Sequence, residues 1–90
     1  MSDLRTTHDT ATQTIVDTAN LADGNWTSEW DDAAQNGESH FHNDGRSVWM
    51  QTTFTGEHLY WTRDEPDRFG KTHLDYDQAI AYLLGTSIPF

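Results

Sequence analysis

The chain has 90 residues, no cysteine, and fifteen acidic against five basic side chains, for a formal net charge of −10. That length allows one small domain, the missing cysteines exclude disulfide staples and thiolate metal sites, and the charge disfavours functions that rest on gripping phosphates. No apolar run approaches the ~18 residues of a membrane span, and residues 1–14 lack a signal peptide's apolar stretch, so a soluble, cytoplasmic protein without membrane contact is expected.

In chain order, Ala11, Ile15, Ala19 and Ala22 recur at helical spacing, with Thr6 and Asp9 placed as a capping box and Gly24 as a stop. This predicts a helix over 8–22, although the β-branched Thr12, Thr14, Ile15 and Val16 would also suit a strand. Next, Ser28 and Asp31 read as caps of a short turn that carries Trp30, Ala33 and Ala34 and ends at Gly37. An extended Trp26 to Trp30 is the alternative.

From Glu38 to Arg63, alternation and turn chemistry predict a three-stranded antiparallel meander. Asp44-Gly45 suits a type I′ hairpin, which sets Phe41 opposite Val48 and His40 opposite Trp49. Thr55-Gly56, taken as a two-residue loop, sets Met50 against Trp61 and Thr52 against Leu59. The acidic stretch from Asp64 to Arg68, with Gly70-Lys71-Thr72 after it, reads as a turn into the last helix. There Asp75 and Gln78 form a capping box, Tyr76, Ala79, Ile80 and Leu83 make the apolar stripe, and Gly85 closes it. The expected fold is a single α+β domain over residues 1–90: a three-stranded meander flanked by an N-terminal and a C-terminal helix.

Under that register one sheet face gathers Phe41, Val48, Met50, Phe54, Leu59 and Trp61 as core. The opposite face gathers His40, His42, Trp49, Gln51, His58 and Tyr60, a surface of large rings with polar tips. Either the N-terminal helix or the C-terminal tail packs over it, or it is offered to a partner, and a dimer through it would satisfy both. The candidate partner-binding residues are His40, Trp49, Gln51 and Tyr60. A protein partner or self-association is the leading expectation, for a small non-enzymatic interaction module.

Eleven of the acids are aspartate, four of the five bases are arginine, and thirteen residues are threonine, with the charge spread along the chain instead of forming a block. In this composition the chain resembles the small cytoplasmic proteins of salt-accumulating haloarchaea. The resemblance implies a compartment in which ~1 M salt shortens the Debye length to ~3 Å and removes the self-repulsion of so acidic a body. It implies no activity.

Three other functions have some support in the sequence. His40 and His42 in one strand point to the same face, about 7 Å apart, and with Asp44 would make a His-His-carboxylate metal site. Sheet aromatics could stack the bases of a single-stranded nucleic acid, but the charge makes nucleic acid an unlikely partner. Enzymatic chemistry has weaker support. Ser39 beside His40 and Asp75 near His73 are isolated ingredients, no G-x-S-x-G elbow or glycine-rich phosphate loop exists, and no cofactor is implied. Charge adds one last clue: nine of the ten net negative charges lie outside 38–63, which leaves the meander nearly neutral.

Overall fold

The computed structural model describes residues 4–64 and 70–86, so the expected acidic turn at 65–68 and the tail at 88–90 lie outside the described residues. The elements are α1 (Leu4–Ala19), β1 (Trp26–Asp31), β2 (Asn36–Asn43), β3 (Arg46–Thr52), β4 (His58–Thr62), β5 (Thr72–Leu74) and α2 (Tyr76–Leu84). The strands form one antiparallel sheet in the order β1-β2-β3-β4-β5. The α+β class with a helix at each end is as expected, but the sheet has five strands where the sequence suggested three. The two additions, β1 and β5, come from segments read chiefly as turns.

Helix α1 is already helical at Leu4, which puts Thr6 and Asp9 inside it and not at its cap. Its threonines are accommodated by bonding back one turn: Thr12 Oγ1 donates to the His8 carbonyl and Thr14 Oγ1 to that of Thr10. The helix ends at Ala19, before the expected Gly24. Asn20 takes a left-handed φ of 54°, and the amides of Asn20 and Leu21 close on the carbonyls of Asp17 and Val16. This is a Schellman motif with asparagine where glycine is commoner, and Leu21 packs beside Val16 as such motifs favour.

The second segment is a strand, the weaker of its two sequence readings. Asp31 still organises a turn, since its carboxylate accepts from the amides of Ala33 and Ala34, and Gln35 at φ 53° returns the chain into β2. Gly37 ends no helix. A Cβ there would stand 2.6 Å from both the Glu29 carbonyl oxygen and Cε3 of Trp30, so glycine is needed to let the Trp30 ring lie across β2.

The two hairpins decide which side chains share a face. Asp44 and Gly45 have φ of 53° and 82°, the I′ pair, and Phe41 opposes Val48 while His40 opposes Trp49 as expected. The second loop differs by one residue. Thr53 N donates to the Glu57 carbonyl, leaving Phe54, Thr55 and Gly56 as a three-residue loop with Gly56 left-handed at φ 89°. The register becomes Trp49 with Trp61 and Met50 with Tyr60, and every side chain of β4 changes face.

Helix α2 follows its sequence signals. Asp75 and Gln78 form the reciprocal capping box, and Gly85 at φ 76° terminates it. Arg46 Nε donates to the Tyr82 carbonyl and Asn43 Nδ2 to that of Leu83, so the first hairpin also caps this helix's C-terminal end. Ile15 and Val16 of α1 and Ala79, Ile80 and Leu83 of α2 join Phe41, Val48, Met50 and Leu74 in one core cluster, which places both helices on the same side of the sheet. Among the described residues no helix is long and apolar enough to cross a membrane.

Candidate functional site

The sheet face turned away from the helices is built by the register itself. Thr27 pairs with His40, His40 with Trp49, Trp49 with Trp61, and Trp61 with His73, which sets one row of side chains across all five strands. One step along the strands lies a second row, Glu29, Glu38, Gln51 and Leu59. One step in the other direction lie His42 and Ser47, followed by Arg63 and Lys71, two residues from Trp61 and His73 respectively. The face therefore has an acidic corner on β1 and β2, a basic corner on β4 and β5, and an aromatic row between.

The rings are packed against one another and against the cations. His40 stacks on Trp49 with ring centroids 4.4 Å apart and planes 9° from parallel, and His42 stands 5.9 Å from His40. From the opposite flank the Arg63 guanidinium lies 5.5 Å from the Trp49 ring, and the Lys71 ammonium sits 4.5 Å from the Trp61 ring. Trp49 is thus held between an imidazole and a guanidinium. Trp61 is only 4% exposed, whereas His40, Trp49 and Gln51 are half-buried.

Two polar atoms in the row, His40 Nε2 and Trp61 Nε1, are buried and have no hydrogen-bond partner among the described residues. Buried polar groups are nearly always paired, and an unpaired one costs about 1–3 kcal/mol. Burial and the neighbouring His42 hold the His40 pKa below the ordinary histidine value, with Asp64 and Glu38 pulling the other way. The imidazole is therefore neutral at neutral pH. Beside the acidic row lies a shallow hollow of about 190 Å³, walled by Glu29, Asp31, Glu38 and Gln51.

The candidate residues are divided by this arrangement. His40, Trp49 and Gln51 share the open face, but Tyr60 does not. The three-residue loop turns Tyr60 to the helix side, where its ring meets Tyr76 edge-on at 6.0 Å, and delivers Trp61 to the open face in its place. His58 also crosses to the helix side. Phe54 and Leu59, read as core, are instead 70% and 43% exposed, one on the loop and one in the acidic row. Sequence reasoning missed Trp61, His73, Arg63 and Lys71 as neighbours, because they gather only once β4 is turned over and β5 is added. Turn length was the signal: Thr53 and Glu57 can close a three-residue loop as readily as Thr55-Gly56 makes a two-residue one.

The metal alternative is not assembled. His40 and His42 do share a face, but Asp44 sits at the hairpin tip, exposed, with its carboxylate 3.9 Å from Arg46 Nη1. Among the described residues no three histidine or acidic side chains are placed to hold one metal ion. Ser39, adjacent to His40 in sequence, points to the opposite face. Its hydroxyl lies 3.2 Å from Nε2 of His8, which α1 buries against the sheet.

On that covered face His8 anchors a closed polar network. His8 Nδ1 is 2.7 Å from Thr52 Oγ1, which is 2.9 Å from His58 Nδ1, and His8 Nε2 is 3.0 Å from Ser28 Oγ. Ser39 also bonds to Thr12, whose own proton goes to the His8 carbonyl. Burial lowers the His8 pKa, a nearby His58 adds to that, and Asp9 opposes it; burial lowers His58 as well. The network's hydrogen bonds are thus met by the chain's own side chains, from the buried Thr12, Ser39 and Thr52 out to the half-buried His58 and the exposed Ser28. Comparisons with models of protein families, with curated proteins and with solved structures gave no match to this chain.

Proposed function

We propose that this chain is a small non-enzymatic interaction module that docks another protein chain on the sheet face carrying His40, Trp49 and Trp61. The observation that carries the reading is a row of large rings, His40, Trp49 and Trp61, on the sheet face that neither helix covers, with Glu29 and Glu38 at one corner and Arg63 and Lys71 at the other. The half-buried rings of His40 and Trp49 would leave water on docking. Large rings at the centre and charge at the rim match the anatomy of protein interfaces.

Arg63 and Lys71 invite a nucleic-acid reading, but ring geometry argues against it. Bases stack on free ring faces, whereas Trp49 already stacks on His40 and carries the Arg63 guanidinium over its ring, and Lys71 lies over Trp61. The compartment that fits the composition is a cytoplasm rich in salt, where an excess of ten negative charges over positive ones is screened.

Photo-crosslinking tests the reading. A benzophenone amino acid is placed at Gln51 on this face and, as a control, at the exposed Gln13 of α1, in cells making the protein. A protein adduct is expected from Gln51, absent from Gln13, and reduced severalfold by Trp49→Ala, which removes the half-buried ring at the centre of the face. Equal yields from the two positions, or adducts with nucleic acid alone, would defeat it.

A further inference from the structure

Building on the interaction reading, we infer that the partner is a second copy of this chain, docked face to face about a two-fold axis with the strands of the two sheets crossing at roughly a right angle. Strands lie ~4.8 Å apart and successive rows on one face ~6.8 Å apart. From the acidic pair Glu29 and Glu38 to the basic pair Arg63 and Lys71 is three strands across and two rows along, ~14 Å in each direction.

In a dimer closed by a two-fold axis the same patch must complement itself. An axis lying in the interface and perpendicular to the acid-to-base diagonal lays each acidic corner on the other copy's basic corner. Because the diagonal runs near 45° to the strands, that rotation turns one strand set ~90° to the other, one of the two ways in which sheets pack.

The same operation accounts for features it was not built from. The axis passes over Trp49 and close to Leu59, so the exposed leucine meets its own copy and leaves water. His40, one strand to one side of Trp49, comes opposite the second copy's Ser47, and the strand on the other side of Trp49 comes opposite the second copy's Gln51, so polar side chains of one copy flank the central rings of the other. Five strands by three rows give ~24 by ~20 Å, or about 1,000 Å² for the two copies together, at the low end for specific interfaces, so the dimer should dissociate at micromolar concentrations.

Charge reversal at one contact tests this in ~2 M KCl, where the net repulsion between acidic copies is screened. Sedimentation equilibrium should show the 10.3 kDa chain associating to twice its mass. Glu38→Arg and Arg63→Glu should each weaken association ten-fold or more, and the double variant should return to within about three-fold of the parent. Circular dichroism confirms that each variant is folded. A dimer indifferent to both reversals, or one that the double variant fails to rescue, overturns the inference. A strict monomer whose Gln51 probe still captures a different protein overturns it while the interaction reading stands; no Gln51 adduct of any kind overturns both.

Discussion

The two faces of the sheet are made by the same strands, residue by alternate residue, yet they treat buried polar atoms in opposite ways. On the helix side His8, Thr12, Ser39 and Thr52 are buried and all hydrogen-bonded within the chain, beside an apolar cluster centred on Phe41, Val48 and Met50. On the other side rings are packed as tightly, with His40 on Trp49 at 4.4 Å, but His40 Nε2 and Trp61 Nε1 have no partner among the described residues. Buried polar atoms are thus paired inside the fold on one face and depart from that rule on the other, which is also the face proposed to dock a partner.

That contrast is broken most easily by truncating one large ring on each side. Phe41→Ala should cost about 3–5 kcal/mol, as the ring is fully buried between sheet and helices and its loss leaves a cavity. Trp49→Ala should cost only about 1–2 kcal/mol, since the ring is half-buried and loses chiefly its stacking with His40 and Arg63. Urea unfolding in molar KCl measures both. Equal losses would make the open face a second core and remove the reason to call it a docking surface. A smaller effect, about 1–3 kcal/mol, is expected for Thr52→Val, which leaves Nδ1 of both His8 and His58 without this partner on the helix side of the sheet.

How much of this was legible beforehand depended on whether the signal was local. The I′ turn at Asp44-Gly45, the capping box of Asp75 and Gln78 and the stop at Gly85 are each written in a few adjacent residues, and each was read correctly. The second hairpin was not, because Thr53 to Glu57 supports two loop lengths of similar cost, and a single residue decides whether Tyr60 or Trp61 faces the helices. His40, Trp49 and Gln51 were legible as one face because the first hairpin alone places them. His8 gave no warning: its partners Ser28, Ser39 and Thr52 lie 20, 31 and 44 residues away, and only the folded sheet brings them together.

Acid should distinguish the faces more gently. Burial lowers the pKa of His8 and His58 on the closed face and of His40 on the open one, below the ordinary value of 6.5. The unfolded chain then binds protons that the folded chain resists, so stability is full above pH 6.5, declines as the pH falls below it, and levels off once the folded-state values are passed. Carboxylates titrate nearer pH 4, which leaves the interval from about 6.5 to 5 to the histidines. Imidazole NMR shifts followed through that interval should show His8, His58 and His40 each protonating below the ordinary value of 6.5. In Thr52→Val the closed-face pair should move while His40 does not; a matching shift of His40 would mean that the two faces titrate as one network.

The smallest expected change in stability is the sharpest test of what the open face is for. Arg63→Ala removes an exposed guanidinium that touches Trp49 at 5.5 Å, a contact worth about 0.5–1 kcal/mol at an exposed site. Thermal unfolding of the monomer should barely register it. Association should register it strongly, because the same guanidinium supplies the basic corner opposite Glu29 and Glu38 and keeps the second ring face of Trp49 closed. A residue that matters for the isolated fold changes the first measurement at least as much as the second, whereas one that matters for docking separates them. If Arg63→Ala lowers the unfolding midpoint by several degrees and leaves association untouched, Arg63 serves the fold alone, and the open face loses its basic corner as a reason to expect company.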